Sequence, residues 1–239
     1  MLQKLDITKI IFLDIETVPL VYDFDKLPKI ESELFDKKTK YIQKYQEISA
    51  SEAYQKAGIY AEFGKIVCIS VGYFLQDKTK QTLRIKSFYG KDEKKLLKEF
   101  NSLLNKTLKD NFILCAHNGK EFDFPFLGRR NLINGLKLPS QLNIAGKKPW
   151  EIPHIDTMEL WKFGDYKHFT SLELLAHVFG IPSPKADLDG SQVAKTYYEE
   201  NNLEKIKNYC QQDVITIAQL FLKYKGKLLI KEENIEIVG

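Results

Sequence analysis

Hydrophobic residues along this chain recur with two periods, and the switches between them outline its elements. Ile10 to Ile15 (IIFLDI) is apolar at nearly every position, which predicts a strand buried on both faces near the middle of a sheet. Lys65 to Leu75 and Gln81 to Tyr89 predict a second and a third strand, with Asp77 to Lys80 as the hairpin turn between them. Leu96, Leu97, Phe100, Leu103, Leu104 and Leu108 recur at helical spacing and predict a helix over Glu93 to Leu108. Phe112 to Ala116 reads as a fourth strand, and Phe122 to Leu132 as a helix that stops near Asn134-Gly135. Ile155 to Leu160 reads as a short strand or extended segment. Ser171 to Phe179 predicts a helix capped by a hydroxyl at its start and closed at Gly180. Leu203 to Tyr224 predicts the last helix, with Asn201 and Glu204 at capping-box spacing. Strands first, then helices and strands in turn, make this an α/β or α+β chain that begins with antiparallel strands.

Two stretches fall outside this pattern. Residues 21–64 carry Lys37, Lys38, Lys40 and several tyrosines, among them Tyr22, Tyr41, Tyr45 and Tyr54, and are too long for an ordinary loop. They predict a helical insertion after the first strand, either an arm or a lid. Residues 137–154, with Lys147, Lys148 and Trp150, read as a surface loop. The length of 239 residues fits one domain over 1–239, with the insertion at about 21–64. A chain that is 44% hydrophobic and 28% charged can bury an ordinary core. No apolar run approaches the length of a membrane span, and MLQKLDITK lacks an apolar signal region, so a cytoplasmic protein is expected. Cys68, Cys115 and Cys210 each sit in apolar sequence and read as core thiols, not as a disulfide framework or a zinc site. The net charge of +4 permits a nucleic-acid partner without arguing for one.

Carboxylates inside apolar segments change the picture. Asp14 and Glu16 are two apart on the first strand and so share a face. The bland reading is a strand end emerging into solvent. Asp213 lies on the apolar stripe of the last helix, one turn after Tyr209, where it breaks the binary pattern. Here the bland reading is a boundary position whose carboxylate the Tyr209 hydroxyl satisfies. Asp123, at a strand-to-helix junction after Asn118, reads singly as a helix-start residue. Four such acids, if they converge, repel one another and call for a divalent cation. Oxygen ligands without nearby Cys or His suit Mg²⁺ or Mn²⁺. His117 reads as a structural hydrogen-bonding histidine, and His154 with Asp156 as a surface strand more than a metal pair. Asp187 to Ser191 reads as an Asp-Gly turn followed by a Ser cap.

Together, the run DIET (Asp14, Glu16, Thr17), the run N-x3-FD (Asn118, Phe122, Asp123) and the run Y-x3-D (Tyr209, Asp213) resemble the three exonuclease motifs of the DEDD family, tyrosine subgroup. The resemblance is closest to stand-alone bacterial 3′–5′ exonucleases related to the proofreading domain of family B DNA polymerases, and covers about residues 8 to 225. It implies a ribonuclease H-like mixed sheet flanked by helices, and cleavage of terminal phosphodiester bonds of single-stranded DNA to 5′-mononucleotides. It implies two Mg²⁺ or Mn²⁺ ions ~3.5–4 Å apart. Asp14 would bridge both, Glu16 and Asp213 would complete one shell, and Asp123 would serve the other. Tyr209 would orient the attacking water, since a phenol of pKa about 10 is a poor base at neutral pH. Thr17, Asn118 and Phe122 are candidates for contacting the terminal nucleotide, and Lys147, Lys148, Lys162, Lys167 and Lys185 for contacting phosphates. The expected partner is the 3′ end of single-stranded DNA. An exoribonuclease of the same architecture, or a binding module whose acids are only structural, are the alternatives.

Overall fold

The computed structural model describes residues 2–77, 80–107, 111–165, 169–182 and 188–239. Six strands form one mixed sheet: β1 (Ile10–Pro19), β2 (Gly64–Gln76), β3 (Gln81–Tyr89), β4 (Ile113–Ala116), β5 (Ile155–Asp156) and β6 (Ile235–Val238), in the order β5-β4-β1-β2-β3-β6. The apolar run predicted to be central is β1. It pairs antiparallel with β2 and parallel with β4. β3 pairs antiparallel with β2, and β5 and β6 add parallel edges to β4 and β3.

Alternation along β1 divides the core in two. Ile11, Leu13 and Ile15 face helices α3 (Glu93–Thr107) and α4 (Asp123–Ile133), meeting Leu97, Phe100, Phe124 and Leu127. Ile10 and Phe12 face helix α8 (Leu203–Tyr224), meeting Val214, Ile217 and Phe221. Gly72 of β2 lets α8 lie close to the sheet, since a Cβ there would come within 2.8 Å of Val214. Across the other face, Glu93 and Arg130 form a buried ion pair with Nη2–Oε2 at 2.5 Å. Arg130 also reaches Ala61 O, and Glu93 accepts from Ile66 N, so the pair joins both helices to the sheet.

The insertion is helical, as the pattern predicts. It holds α1 (Lys29–Gln46) and the short α2 (Ala50–Tyr54), fastened by a cluster of Phe24, Phe35, Tyr54, Tyr60 and Phe63. All three cysteines are buried and free, and no helix among the described residues is long and apolar enough to cross a membrane.

Several expectations need correction. The strand expected at Ile155 to Leu160 stops at Asp156, whose carboxylate accepts from Met158 N and Glu159 N and so starts helix α5 (Thr157–Lys162). The last helix is capped by Asn202, which accepts from Lys205 N. Asn201 takes a left-handed turn instead (φ 49°), so the cap lies one residue later and the expected box with Glu204 does not form. Residues 137–154 are not simply a surface loop, because Leu142 and His154 are buried. His154 and Asp156 are likewise no surface strand. Helix α6 (Leu172–Val178) is capped by Ser171 as expected. Helix α7 (Val193–Tyr198) and strand β6 were not foreseen. Leu108 and the middle of the hairpin turn lie outside the described residues.

Candidate active site

Three segments far apart in sequence meet at the middle of β1, just past the residues that pair with β4. Asp14 and Glu16 project toward α8, and a bulge in the pairing with β2 follows immediately after Glu16. Their side chains and the Cys210 thiol bring their ligand atoms within 4.8 Å of one another. Cys210, on α8, donates to the Asp14 backbone carbonyl at 3.4 Å. From the opposite side, Asp123 Oδ1 accepts from Ile15 N at 3.2 Å, so the first turn of α4 is tied to β1 between the two acids. Asp213 is one helical turn beyond Tyr209 on α8, beside the same cluster.

Burial dominates the electrostatics. It pushes Asp14 well above the usual carboxylate range, and the charges of Glu16, Asp213 and Asp123 push it further. Glu16 is raised in the same way, by burial first and then by Asp213. Asp123 is pushed up to about 8 by burial, against the lowering effect of backbone N–H groups. Burial lifts Asp213 to about 6, and the Tyr209 hydroxyl opposes the shift. Tyr209 is itself driven far above the ordinary phenol range, by burial and then by Asp213, Glu16 and Asp14. Its hydroxyl is therefore a permanent donor at neutral pH. The cluster fits a hard divalent cation on two observations. Asp14 Oδ2 is buried without a hydrogen-bond partner, and burial together with the neighbouring carboxylates raises Asp14, Glu16 and Asp123, a cost that bound positive charge would relieve. Cys210 fits less well as a ligand, because burial pushes its thiol up and its hydrogen is engaged on Asp14 O.

Residues 59–235 match a family described as predicted 3′–5′ exonucleases related to the exonuclease domain of PolB. The chain belongs to this exonuclease family. Such enzymes are hydrolases. Among solved structures, the family B DNA polymerase from the hyperthermophilic archaeon Pyrobaculum calidifontis is similar, with a TM-score of 0.53 at 14% identity over 90% of this chain. The chain spans only 24% of the polymerase, and at that identity the likeness shows the fold: the ribonuclease H-like sheet of polymerase exonuclease domains. The family match takes in Asp123, Tyr209 and Asp213 but begins beyond β1. Asp14 and Glu16 lie before the matched residues, and only the geometry puts them beside Asp123 and Asp213.

Other expected residues of the exonuclease divide. Asn118 lies in the loop that leads to Asp123, in a left-handed conformation (φ 61°), with Oδ1 buried and without a partner among the described residues. The Thr17 hydroxyl donates to Gly58 O at 2.8 Å, which ties β1 to the insertion. Phe122 is half-buried, with its ring 5.4 Å from that of Phe126, in keeping with an anchor for α4. His117 is structural: its ring bonds Thr157 Oγ1 and Thr170 O, each at 2.9 Å. Nor is His154 free for a metal, since Leu114 N donates to its Nδ1 and its Nε2 lies 2.7 Å from Gln141 O. At the expected turn Asp189, and not Ser191, is the cap: its carboxylate accepts from Ser191 N, and no Ser191 cap opens α7. Lys147 and Lys148 are exposed, and Lys148 lies over the Trp150 ring. Lys162 is half-buried. Lys167 and Lys185 lie outside the described residues.

Asp156 is a supporting residue that its place in the sequence does not announce. Its buried carboxylate accepts from Asn118 N at 2.9 Å and Lys120 N at 3.1 Å while capping α5. It thereby fixes the loop between β4 and α4 that carries Asn118 and delivers Asp123. Gly119 makes that loop possible, since a Cβ there would lie 2.4 Å from Ala116 Cβ. The run Asp156-Thr157-Met158-Glu159 has the spacing of a helix start, and that signal could have revealed its capping of α5, though not its hold on the loop.

Proposed function

We propose that this protein removes nucleotides singly from the 3′ end of single-stranded DNA, using two Mg²⁺ or Mn²⁺ ions held by Asp14, Glu16, Asp123 and Asp213. The observation that carries this reading is the convergence of buried, mutually repelling carboxylates, one with a partnerless oxygen, in a chain of exonuclease family. Divalent ions bound there supply Lewis acidity toward the phosphate and lower the pKa of a water.

The chain's own groups do the rest. Tyr209 keeps its proton and donates, which suits it to orient a water beside Asp213 and not to act as a base. Asn118 offers a free carbonyl oxygen to a donor on the terminal nucleotide. Asp156 and Cys210 hold the strand and loop that present the acids. In the reaction, the oxygen of water bonds to phosphorus and the bond from phosphorus to the 3′ oxygen breaks. The products are a nucleoside 5′-monophosphate and a strand with a new 3′ hydroxyl.

The test is incubation of 5′-labelled single-stranded DNA and RNA with Mg²⁺, Mn²⁺ or chelator. A descending ladder on DNA with either metal, none in chelator, and a block by a 3′-phosphate are expected. Faster loss of RNA would make the enzyme an exoribonuclease of the same architecture. Cuts in circular single-stranded DNA would overturn the exonuclease reading.

A further inference from the structure

Past the acids, β1 leads into a second cavity. It has a volume of about 560 Å³ and lies between the start of the insertion and α7, lined in part by Tyr22, Phe24, Lys26, Gln55, Ser191 and Lys195. Pro19, also on its wall, is three residues beyond Glu16 on the same strand, a separation of ~10 Å at the usual rise per residue. We infer that this cavity is a nucleotide subsite, which holds one nucleotide of the single strand away from the bond being cleaved. The inference rests on the exonuclease reading for its substrate, but on residues that the catalytic cluster does not use.

Tyr22 supplies the platform. One face of its ring stacks on Tyr198 at 5.0 Å and 22°, and its hydroxyl donates to Glu199 at 2.5 Å. The ring is thus held in place yet is still 41% exposed. A base laid on it would extend a stack already begun, and stacking on a fixed aromatic is how single strands are gripped without regard to sequence. Two cations flank it. Lys195 is exposed and has no ion pair among the described residues. Lys26 has only a loose exposed pair with Asp23 at 3.5 Å, weak enough for a phosphate to displace. Gln55 and Ser191 offer neutral hydrogen-bonding groups. The walls are fixed from behind: the Tyr198 hydroxyl bonds Pro19 O at 2.6 Å, and the Tyr54 hydroxyl donates to Val21 O at 2.9 Å. The volume lies in the range of small-ligand sites. The insertion that interrupts the pattern of the fold accordingly builds one wall of the strand's path.

The experiment compares the parent with Tyr22→Ala, Tyr22→Phe and the pair Lys26→Glu/Lys195→Glu. Fluorescence anisotropy with a 5′-labelled oligothymidylate octanucleotide in chelator reads binding without turnover. Hydrolysis of the octanucleotide and of a dinucleotide with Mg²⁺ reads KM and kcat. Tyr22→Ala and the charge reversal should each weaken octanucleotide binding, and raise its KM, by about tenfold, a modest value for one stacked base. The kcat and dinucleotide hydrolysis should stay as in the parent, and Tyr22→Phe, which keeps the ring, should bind as the parent does. The lysine pair serves even where Tyr22→Ala lowers the melting temperature, because both side chains are at the surface. Unchanged octanucleotide affinity in both variants, with a parent that cleaves it, overturns the subsite and leaves the exonuclease standing. A parent that binds and shows the variant losses but never cleaves keeps the subsite and removes the exonuclease. No binding by the parent removes both.

Discussion

Tyr209 and Asp123 test the site at the level of single groups. Tyr209→Phe removes one hydroxyl and leaves a ring packed at the edge of the Val18, Val67, Ile206 cluster. If that hydroxyl orients water, single-turnover kinetics should show a loss of roughly 10²-fold, with a nearly unchanged melting temperature. Near-normal turnover with a clear loss of stability would make Tyr209 a structural partner of Asp213. The acids predict a pH effect whose sign is fixed. Asp123 is raised to about 8 and Asp213 to about 6, so the folded chain binds their protons more tightly than the unfolded chain does. Their contribution is complete below the ordinary carboxylate pKa of about 4 and is lost as pH rises through the folded values. Metal-free protein should therefore melt at lower temperature at pH 8.5 than at pH 5. Mn²⁺, which competes with those protons, should raise the melting temperature more at the higher pH. Asp123→Asn keeps an acceptor for Ile15 N, should flatten the upper part of this slope, and should blunt the response to Mn²⁺. A melting temperature independent of pH in chelator would mean that the acids are not held apart from water as described.

Elements place those groups, and the supports are testable in their own right. Asp156→Ala removes the α5 cap and unties the Asn118 and Lys120 amides, at about 1–3 kcal/mol by melting. Because the same loop delivers Asp123, kcat should fall as well, by up to about 10²-fold if the carboxylate shifts. A variant of normal kcat would show that α4 is held without it. Arg130→Met leaves Glu93 buried without its partner, and denaturant titration should register a loss of about 3–5 kcal/mol. The further change Glu93→Leu should recover only part of this, since Ile66 N and Asn134 would lose their acceptor. Elements with a strong period were legible in the sequence. The third strand and the last helix have the expected limits because their apolar spacing continues to both ends and then stops. Helix α7 escaped because six residues do not complete a recognisable stripe. β6 escaped because its identity as a strand comes from pairing with β3, over 140 residues earlier in the chain. The role of Asp156 was hidden similarly: the amides it binds, at Asn118 and Lys120, are known to be near only once β4 and β5 are side by side.

On the scale of the whole molecule, Asp213 stood out because it breaks the pattern around it, whereas Asp123 read singly as a helix start, and only the order of three motifs shared with a known family grouped the four acids before any geometry did. For Thr17 and Phe122, adjacency to a motif did not reveal the hydroxyl's bond to Gly58 O or the ring's packing on Phe126. Lys65 illustrates the same limit, as its ammonium sits over Tyr197, nowhere suggested by its place at the start of a strand. One consequence of the architecture concerns the making of the protein. Asp123 meets Ile15 across 108 residues, and Cys210 meets Asp14 across 196. A chain emerging from the ribosome carries its first acids long before the last one exists outside the exit tunnel. No nascent chain that lacks the last helix can assemble the cluster, so a chain that acts on nucleic acid is harmless to the message and the ribosomal RNA until that helix has emerged. Activity should appear only once the final long helix has docked, and stalled nascent chains ending before residue 200 should degrade nothing.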